Sequence, residues 1–192
     1  MHIAILGGSF DPPHNGHLST AHQILKLTDT QQIWLMPCFQ HPFNKILTPF
    51  AHRLQMTKFL TTERIQVSDF EIRRRMTSYT IDTLTALALM YPNHTFSWII
   101  GDDQLPTFQK WKNWQEILTK FNLIIVPRSF ATPKVAFDIP NAHMTIIKPE
   151  QWTASSVSSS QIRDAIKFKR PIISLVPLPV AKYIVQNRFY TT

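Results

Sequence analysis

The segment Gly7–His17, GGSFDPPHNGH, follows an apolar run, Ile3–Leu6, and precedes a segment with helical periodicity, Leu18–Leu27. This order predicts a strand, a glycine-containing turn and a helix, which is the usual setting of a phosphate site at a helix N-terminus. The chain has only four glycines, and three of them lie in this segment. The fourth, Gly101, follows another apolar run, and two glycine-marked strand ends are what a ligand crevice above a parallel sheet needs.

Several side chains of this segment suit an anionic ligand. Gly7 and Gly8 allow the backbone to turn sharply and to approach a ligand closely, because neither carries a Cβ. His14 and His17 are three residues apart, so they share one face of a helix start and can direct ring N–H groups at one anion. The alternatives are a tight turn with exposed histidines and a zinc site, although Cys38 and the other histidines supply no second ligand pair at metal spacing. We favour the phosphate site.

This segment resembles the G-x-F-D-P-x-H-x-G-H signature of the nucleotidylyltransferase superfamily. When the motifs described below are included, the chain resembles the bacterial nicotinate-nucleotide adenylyltransferases. This resemblance extends over Ile3–Tyr190. It implies a Rossmann-like fold with strand order 3-2-1-4-5. It also implies transfer of the adenylyl group of ATP, bound with Mg²⁺, to nicotinate mononucleotide, giving deamido-NAD and pyrophosphate in NAD biosynthesis. On this resemblance, four residues belong to the ATP site: Gly7, Gly8, Ser9 and Phe10.

Composition and length indicate one domain, spanning residues 1–192, with a buried core. Hydrophobic residues make up 44% of the chain and charged residues 17%, which argues against disorder. The apolar runs are far shorter than the roughly twenty residues of a membrane helix, so no membrane partner is expected. One cysteine excludes an internal disulfide and fits a reducing cytoplasm. The net charge of +8 suits nucleic acid or small anions, and we favour small anions because no nucleic-acid-binding module is recognisable.

Strand-like runs alternate with helical patterns along the chain. The strand-like runs are Ile3–Leu6, Ile33–Met36, Ile65–Val67, Thr95–Ile100, Leu123–Val126 and Met144–Ile147. The main helical patterns are Leu18–Leu27, Ala51–Leu60, Ile81–Met90 and Trp114–Phe121. This alternation predicts an α/β domain in which helices cover both faces of a parallel sheet. In the second of these helices we interpret His52 and Arg53 as surface residues.

A connection rich in proline and aromatic residues, Pro37–Pro49, follows the second strand-like run. The resemblance implies a P-P-H-[KR] element here that helps to bind the triphosphate. This chain instead has HPFNK at His41–Lys45, so Phe43 and Asn44 stand where the histidine is expected. Lys45 is either a source of positive charge for the triphosphate or a solvated surface lysine.

An arginine run precedes a Ser-Tyr-Thr triplet. By itself, Arg73–Arg75 is typical of a solvated helix face. The stretch Glu71–Leu84, however, resembles the family pattern E-x-x-R-x-G-x-S-Y-T-x-D-T-L, with Met76 in place of the usual small residue. The resemblance implies that four residues of this stretch bind nicotinate mononucleotide near its pyridine ring and carboxylate. They are Arg74, Ser78, Tyr79 and Thr80. Capping of the next helix by Ser78 or Thr80 is the structural alternative.

Two adjacent carboxylates, Asp102 and Asp103, follow Gly101. In a phosphate crevice, carboxylates repel the ligand unless they meet a sugar hydroxyl or a cation. The family pattern G-x-D implies that Gly101 and Asp103 belong to the nucleotide site. Asp102 is an N-cap candidate.

Three aromatic residues, Phe108, Trp111 and Trp114, follow at helical spacing, which is more typical of a core than of a ligand platform. Lys110 and Lys112 flank Trp111, so its surroundings are not wholly apolar. The resemblance to F-x-x-W implies that Trp111 stacks on the nicotinate ring, a favourable contact between an indole face and an electron-poor ring. We expect Trp114 in the core.

The serine-rich segment Ser155–Ser160 precedes a further helical pattern. Serines at this position cap a helix and leave backbone donors for an anion. Arg163 lies near the start of that helix, where the macrodipole disfavours a cation unless a negative ligand is bound. The stretch Val157–Arg163 resembles I-S-S-T-x-I-R, which implies that Ser159, Ser160 and Arg163 hold the β- and γ-phosphates. A capped surface helix is the alternative.

The resemblance therefore implies His14, His17 and Arg163 as catalytic residues, with the two histidines donating to phosphate oxygens. The nearest alternative is an adenylyltransferase acting on nicotinamide mononucleotide or on another phosphate acceptor such as phosphopantetheine. More remote alternatives are a nucleotide-binding regulator without catalysis and a basic nucleic-acid-binding protein. Monomeric and homo-oligomeric states both stay open.

Overall fold

In the computed structural model, which describes residues 1–43, 45–128 and 139–191, six strands form one parallel sheet. The strands are β1 (His2–Gly8), β2 (Gln32–Pro37), β3 (Ile65–Val67), β4 (Thr95–Gly101), β5 (Asn122–Val126) and β6 (Met144–Ile146). Their order is β3-β2-β1-β4-β5-β6, and every pairing between neighbours is parallel. The expected order 3-2-1-4-5 is confirmed, with β6 added beside β5.

The strand order reverses between β1 and β4, and the register brings the glycine-marked strand ends to one edge. Ile5 of β1 pairs with Trp98 of β4, so Gly8 and Gly101, each the last residue of its strand, lie on the same side of the sheet. Such a switch point leaves a crevice outside the carboxyl ends of the strands. The site is therefore expected at this edge.

Eight α-helices cover the sheet in the described residues. They are α1 (Asn15–Leu27), α2 (Phe50–Lys58), α3 (Phe70–Arg74), α4 (Thr80–Met90), α5 (Leu105–Phe108), α6 (Trp114–Lys120), α7 (Ser159–Lys167) and α8 (Leu178–Gln186). The short helices α3 and α5 were not predicted, because four or five residues carry too little periodicity to be recognised. None of the described helices is long and apolar enough to cross a membrane.

Alternate strand residues supply two cores, one on each face of the sheet. Ile3 and Ile5 pack with residues of α4, α5 and α6, whereas Ala4 between them packs with residues of α1, α2, α7 and α8. Strand β5 alternates in the same way, with Ile124 and Ile125 in opposite cores. This alternation is the period-two geometry of a strand whose two faces are both covered. The predicted α/β class is confirmed.

Candidate active site

A cavity of about 620 Å³ opens at the carboxyl edge of the sheet, above β1 and β4. Many residues expected from the sequence line it: Gly7, Gly8, Ser9, Lys45, Ser78, Tyr79, Thr80, Asp103 and Trp111. Arg74 is not among its lining residues. Its guanidinium lies 5.7 Å from the centre of the Phe70 ring, and it lines a separate groove of about 510 Å³ together with Trp34 and Tyr91.

In the turn after β1, glycine is required by the close packing of Trp98 and not by a positive φ. A Cβ on Gly7 would clash with the indole of Trp98, so only glycine fits there. Neither Gly7 nor Gly8 has a positive φ; the left-handed residue of this turn is Phe10, with φ 50°. The Phe10 side chain is buried, and its ring centre lies 4.5 Å from that of His17. The buried Phe10 ring of this turn thus packs against the His17 ring.

His14 and His17 lie against each other at the start of α1, with ring centres 3.8 Å apart. The backbone N–H of His14 donates to Nδ1 of His17 at 3.1 Å, so the proton of the neutral His17 ring is on Nε2. Burial, and next the charge of Arg128, lower the pKa of His14 from 6.5 to about 4. Burial, and next the charges of His14 and Arg128, lower the pKa of His17 well below 6.5. Both rings are neutral N–H donors at neutral pH, and the alternative of two exposed histidines is wrong.

The N-terminus of α7 is tied to the loop that follows the glycine turn. Ser159 Oγ donates to the Pro12 carbonyl at 2.8 Å, and Arg163 Nη1 donates to the Asp11 carbonyl at 2.7 Å. Arg163 Nη2 also donates to Ser160 Oγ at 3.1 Å. Because the N-terminal N–H groups of a helix lack intrahelical partners, this contact sets donors of α7 beside the histidine turn. The glycine turn with its histidines and the N-terminus of α7, which the sequence predicts as parts of one phosphate site, therefore lie next to each other.

The opposite side of the cavity is formed by the Ser78–Thr80 triplet and the turn around Trp111. Helix α4 has Tyr79 at its N-cap position without a side-chain cap, so capping by Ser78 or Thr80 does not occur. Trp111 is half-buried on the cavity wall, with its ring centre 5.1 Å from that of Phe108. Trp114 packs against the core, as expected. The cavity thus has an aromatic side facing a helix N-terminus.

An ion pair connects these two segments. Lys112 Nζ lies 2.8 Å from Asp82 Oδ2 of α4 and 5.1 Å from the centre of the Tyr79 ring. Asp102, the N-cap candidate, instead accepts the backbone N–H of Arg128 at 2.8 Å, while Asp103 Oδ1 lies 3.6 Å from Arg128 Nε. Of the two carboxylates, Asp103 is the one on the cavity wall.

Comparison with known proteins gives the family. The cytidylyltransferase-like family model matches residues 5–165. The nicotinate-nucleotide adenylyltransferase of Bacillus subtilis (strain 168) is 35% identical over 192 residues, which cover 98% of this chain and 97% of that protein. A Bacillus licheniformis protein named probable nicotinate-nucleotide adenylyltransferase is 36% identical, covering 99% of this chain and 98% of that protein. The chain belongs to the nicotinate-nucleotide adenylyltransferase family.

Solved structures show the same fold for this member of the nicotinate-nucleotide adenylyltransferase family. The nicotinic acid mononucleotide adenylyltransferase of Plasmodium falciparum, complexed with NaAD, matches with a TM-score of 0.78 and 24% identity. The match covers 98% of this chain and 97% of that chain.

Arg53 is a residue of this adenylyltransferase-family site that the sequence interpretation missed. It was interpreted as a surface residue, and that interpretation is wrong because its side chain is 1% exposed. Its guanidinium donates to the carbonyl oxygens of Thr48, Ser9 and Phe39 at 2.8, 2.7 and 3.2 Å. Arg53 therefore joins the glycine turn to both ends of the loop that follows β2.

Three other residues near the site were assigned no role from the sequence, although Asp11 lies within the opening signature and His41 begins the HPFNK segment. The buried carboxylate of Asp11 accepts hydrogen bonds from the Thr48 backbone N–H and from the Tyr190 hydroxyl. Burial, together with the Asp11 contact, raises the pKa of Tyr190. His41 lines the cavity near the place of the missing loop histidine, and burial lowers its pKa. Asn44 lies outside the described residues.

Proposed function

We propose that this protein transfers the adenylyl group of ATP to nicotinate mononucleotide, forming deamido-NAD and pyrophosphate as a cytoplasmic step of NAD biosynthesis. The whole chain, residues 1–192, serves as a single nucleotidylyltransferase domain. One observation carries the proposal: two neutral histidines and the N-terminus of α7 adjoin the glycine turn, and the cavity above that turn has Trp111 and the N-terminus of α4 on its other side. One crevice thus offers donors for phosphates and an aromatic face for a ring.

The reaction needs no general base. The phosphomonoester of nicotinate mononucleotide has its second pKa near 6, so its attacking oxygen is largely ionised at neutral pH. This oxygen forms a new P–O bond at the α-phosphate of ATP, and the bond from that phosphorus to the bridging oxygen breaks, so the electron pair leaves with pyrophosphate. Catalysis is then a matter of positioning and of stabilising negative charge. The N–H groups of His14 and His17 donate to the α-phosphate, and Arg163, Ser159 and Ser160 hold the leaving pyrophosphate.

The cavity wall supplies the remaining ATP contacts that we propose. The backbone of Gly7, Gly8 and Ser9 approaches the phosphates, and Phe10 supports the His17 ring from behind. Lys45 is exposed on this wall and adds positive charge near the triphosphate. Gly101 lies against Asp103, whose carboxylate is on the same cavity wall and faces the nucleotide.

The acceptor occupies the side of the cavity formed by Trp111 and α4. The indole of Trp111 stacks on the pyridine ring, and the N-terminal N–H groups of α4 after Tyr79 receive the ring carboxylate. Ser78 and Thr80 shape this end of the cavity. Because Arg74 lines a different groove, we propose that it acts on the acceptor site indirectly, through its charge beside the cavity-lining residue Glu71.

Mg²⁺ fits the side chains present. The described residues contain no group of three or more His, Cys, Asp or Glu side chains that could hold a metal ion, and Asp103 is an exposed carboxylate on the cavity wall. This donor set matches an ion that keeps its waters and binds through one or two carboxylates and the substrate phosphates. Asp103 would hold the ion, which would neutralise part of the charge on the ATP phosphates.

Pyrophosphate release in the presence of ATP and Mg²⁺ tests the proposal directly. Three acceptors are compared at equal concentration: nicotinate mononucleotide, nicotinamide mononucleotide and phosphopantetheine. We expect kcat/KM to be highest for nicotinate mononucleotide, because the N-terminus of α4 favours an anionic ring substituent. A higher value for either of the other acceptors would remove the proposed acceptor site. Pyrophosphate release with none of the three would remove the proposed reaction.

A further inference from the structure

A buried carboxylate lies behind the Ser78–Thr80 triplet, and the proposed reaction does not use it. Glu71 is the second residue of α3; it is 4% exposed overall and still contributes to the cavity wall. We propose that Glu71 is a positioning residue, which accepts the Thr83 hydroxyl and thereby holds the first turn of α4, with the adjoining triplet, in the geometry that binds the pyridine carboxylate. This inference rests on the proposed function and adds to it a residue that determines acceptor binding.

The hydrogen bonds around Glu71 connect three elements of the site. Thr83 Oγ1 of α4, itself fully buried, donates to Glu71 Oε1 at 2.8 Å. The nearby Ser78 hydroxyl works to lower the pKa of Glu71, and Ser78 Oγ accepts the backbone N–H of Phe39 at 3.1 Å. The Ser78 backbone N–H donates to the Gln40 carbonyl at 3.1 Å. The triplet is therefore fixed between the loop after β2 and the first turn of α4.

Stability alone does not account for a carboxylate at this position. No ion pair to Glu71 forms within the part of the chain that the structure describes. Burial raises the pKa of Glu71, and the Ser78 and Thr83 hydroxyls and the Arg74 charge oppose that rise only in part. The Cys38 thiol faces it from the end of β2, and burial raises the pKa of that thiol as well. Replacing Glu71 and Thr83 together by apolar side chains of the same shape would be nearly neutral for the fold, so the pair is not required by stability.

The benefit of Glu71 lies in the direction that it imposes on the loop. Helix α4 begins at Thr80, directly after the residues that Ser78 anchors. If the Thr83 hydroxyl loses its acceptor, the first turn of α4 is no longer tied to α3, and its first N–H groups no longer keep one position. Such a displacement affects binding of the mononucleotide, which this loop contacts. It does not affect the ATP phosphates, which are bound by the histidine turn and by α7. Loss of Glu71 should therefore change the KM for nicotinate mononucleotide and not the KM for ATP.

The test is a steady-state analysis of Glu71→Met and Glu71→Gln, with Glu63→Gln as an exposed control on a different segment. Glu71→Met removes the acceptor at similar volume, and we expect the KM for nicotinate mononucleotide to rise about tenfold. We expect kcat and the KM for ATP to stay within about twofold of the wild type. Glu71→Gln retains one acceptor oxygen and should give a smaller rise. Glu63→Gln should change none of the three constants.

An unchanged KM for nicotinate mononucleotide in Glu71→Met would overturn the inference. So would an equal loss in kcat and in both KM values, since that is the pattern of a purely structural role. If Glu71→Met does not fold, Thr83→Val and Glu71→Gln decide, because each must raise the KM for the mononucleotide alone. Wild-type protein that fails to use nicotinate mononucleotide would instead overturn the proposed function, and the inference with it.

Discussion

At the scale of single residues, the two histidines of the turn act as neutral donors. Burial is the main cause that lowers both pKa values, followed by the charge of Arg128 for His14 and by the charges of His14 and then Arg128 for His17, so each ring offers an N–H group without a net charge at neutral pH. The positive charge near the phosphates must come from other side chains, and Arg163 and Arg128 are the residues placed to supply it. Because the neutral rings of His14 and His17 need no additional proton to donate, kcat should stay high well above neutral pH.

The low pKa of His14 predicts a pH-dependent stability. The folded pKa is about 4, against 6.5 for the ordinary group, so the unfolded chain takes up the proton first as the pH falls. The contribution is fully present above pH 6.5 and is lost between that value and the folded pKa. Between about pH 7.5 and pH 5 this loss amounts to about 2 kcal/mol.

Urea unfolding of the wild type and of His14→Gln at both pH values measures this contribution. The wild type should lose about 2 kcal/mol more than the variant on acidification. Equal losses in the two proteins would show that His14 titrates with an ordinary pKa in the folded state.

At the scale of elements, the sequence predicted what depends on local patterns. The six strands and the main helices follow from apolar periodicity, which is a property of neighbouring residues. The position of Arg53 could not be predicted, because its partners lie on Ser9, Phe39 and Thr48 and only the assembled fold brings their carbonyls together. The contact between Asp11 and Tyr190 joins residues 179 positions apart.

The site shows the same division. The histidine turn and the start of α7 were predicted from motifs in which consecutive residues bind one ligand. The placement of Arg74 was not, because the orientation of a five-residue helix decides which groove its side chains line. The structure also gives Gly7 a reason that the sequence did not show, since a Cβ there would clash with the Trp98 indole.

The two tryptophans near α5 and α6 give a prediction at this scale. Trp111→Ala should raise the KM for nicotinate mononucleotide about tenfold, because stacking on a ring is worth roughly 1–3 kcal/mol, and should also lower the thermal unfolding temperature, because Trp111 packs partly against the core. Trp114→Ala should lower the thermal unfolding temperature and leave this KM unchanged, since its side chain packs against the core and is not among the cavity-lining residues. The measurements are steady-state kinetics with varied mononucleotide and a thermal scan. An unchanged KM in Trp111→Ala would return Trp111 to a packing role.

At the scale of the whole molecule, the site is assembled from distant parts of the chain at the point where strand order reverses. The turn after β1 is held by Arg53 from α2, by Ser159 and Arg163 of α7, and by Tyr190 near the C-terminal end through Asp11. The acceptor side comes from α3, α4 and the turn at Trp111. A net charge of +8 gives the molecule a potential that attracts two anionic substrates.

The role of His17 as a donor to the α-phosphate is measured by the turnover number of His17→Ala with ATP, Mg²⁺ and nicotinate mononucleotide, with His22→Ala on the exposed side of α1 as the matched control. We expect kcat to fall about 100- to 1000-fold in His17→Ala, because a donor to a developing negative charge is lost. Thermal unfolding should stay close to that of the wild type, and His22→Ala should retain normal kcat. A His17→Ala protein that is folded and turns over at a near-normal rate would contradict the account.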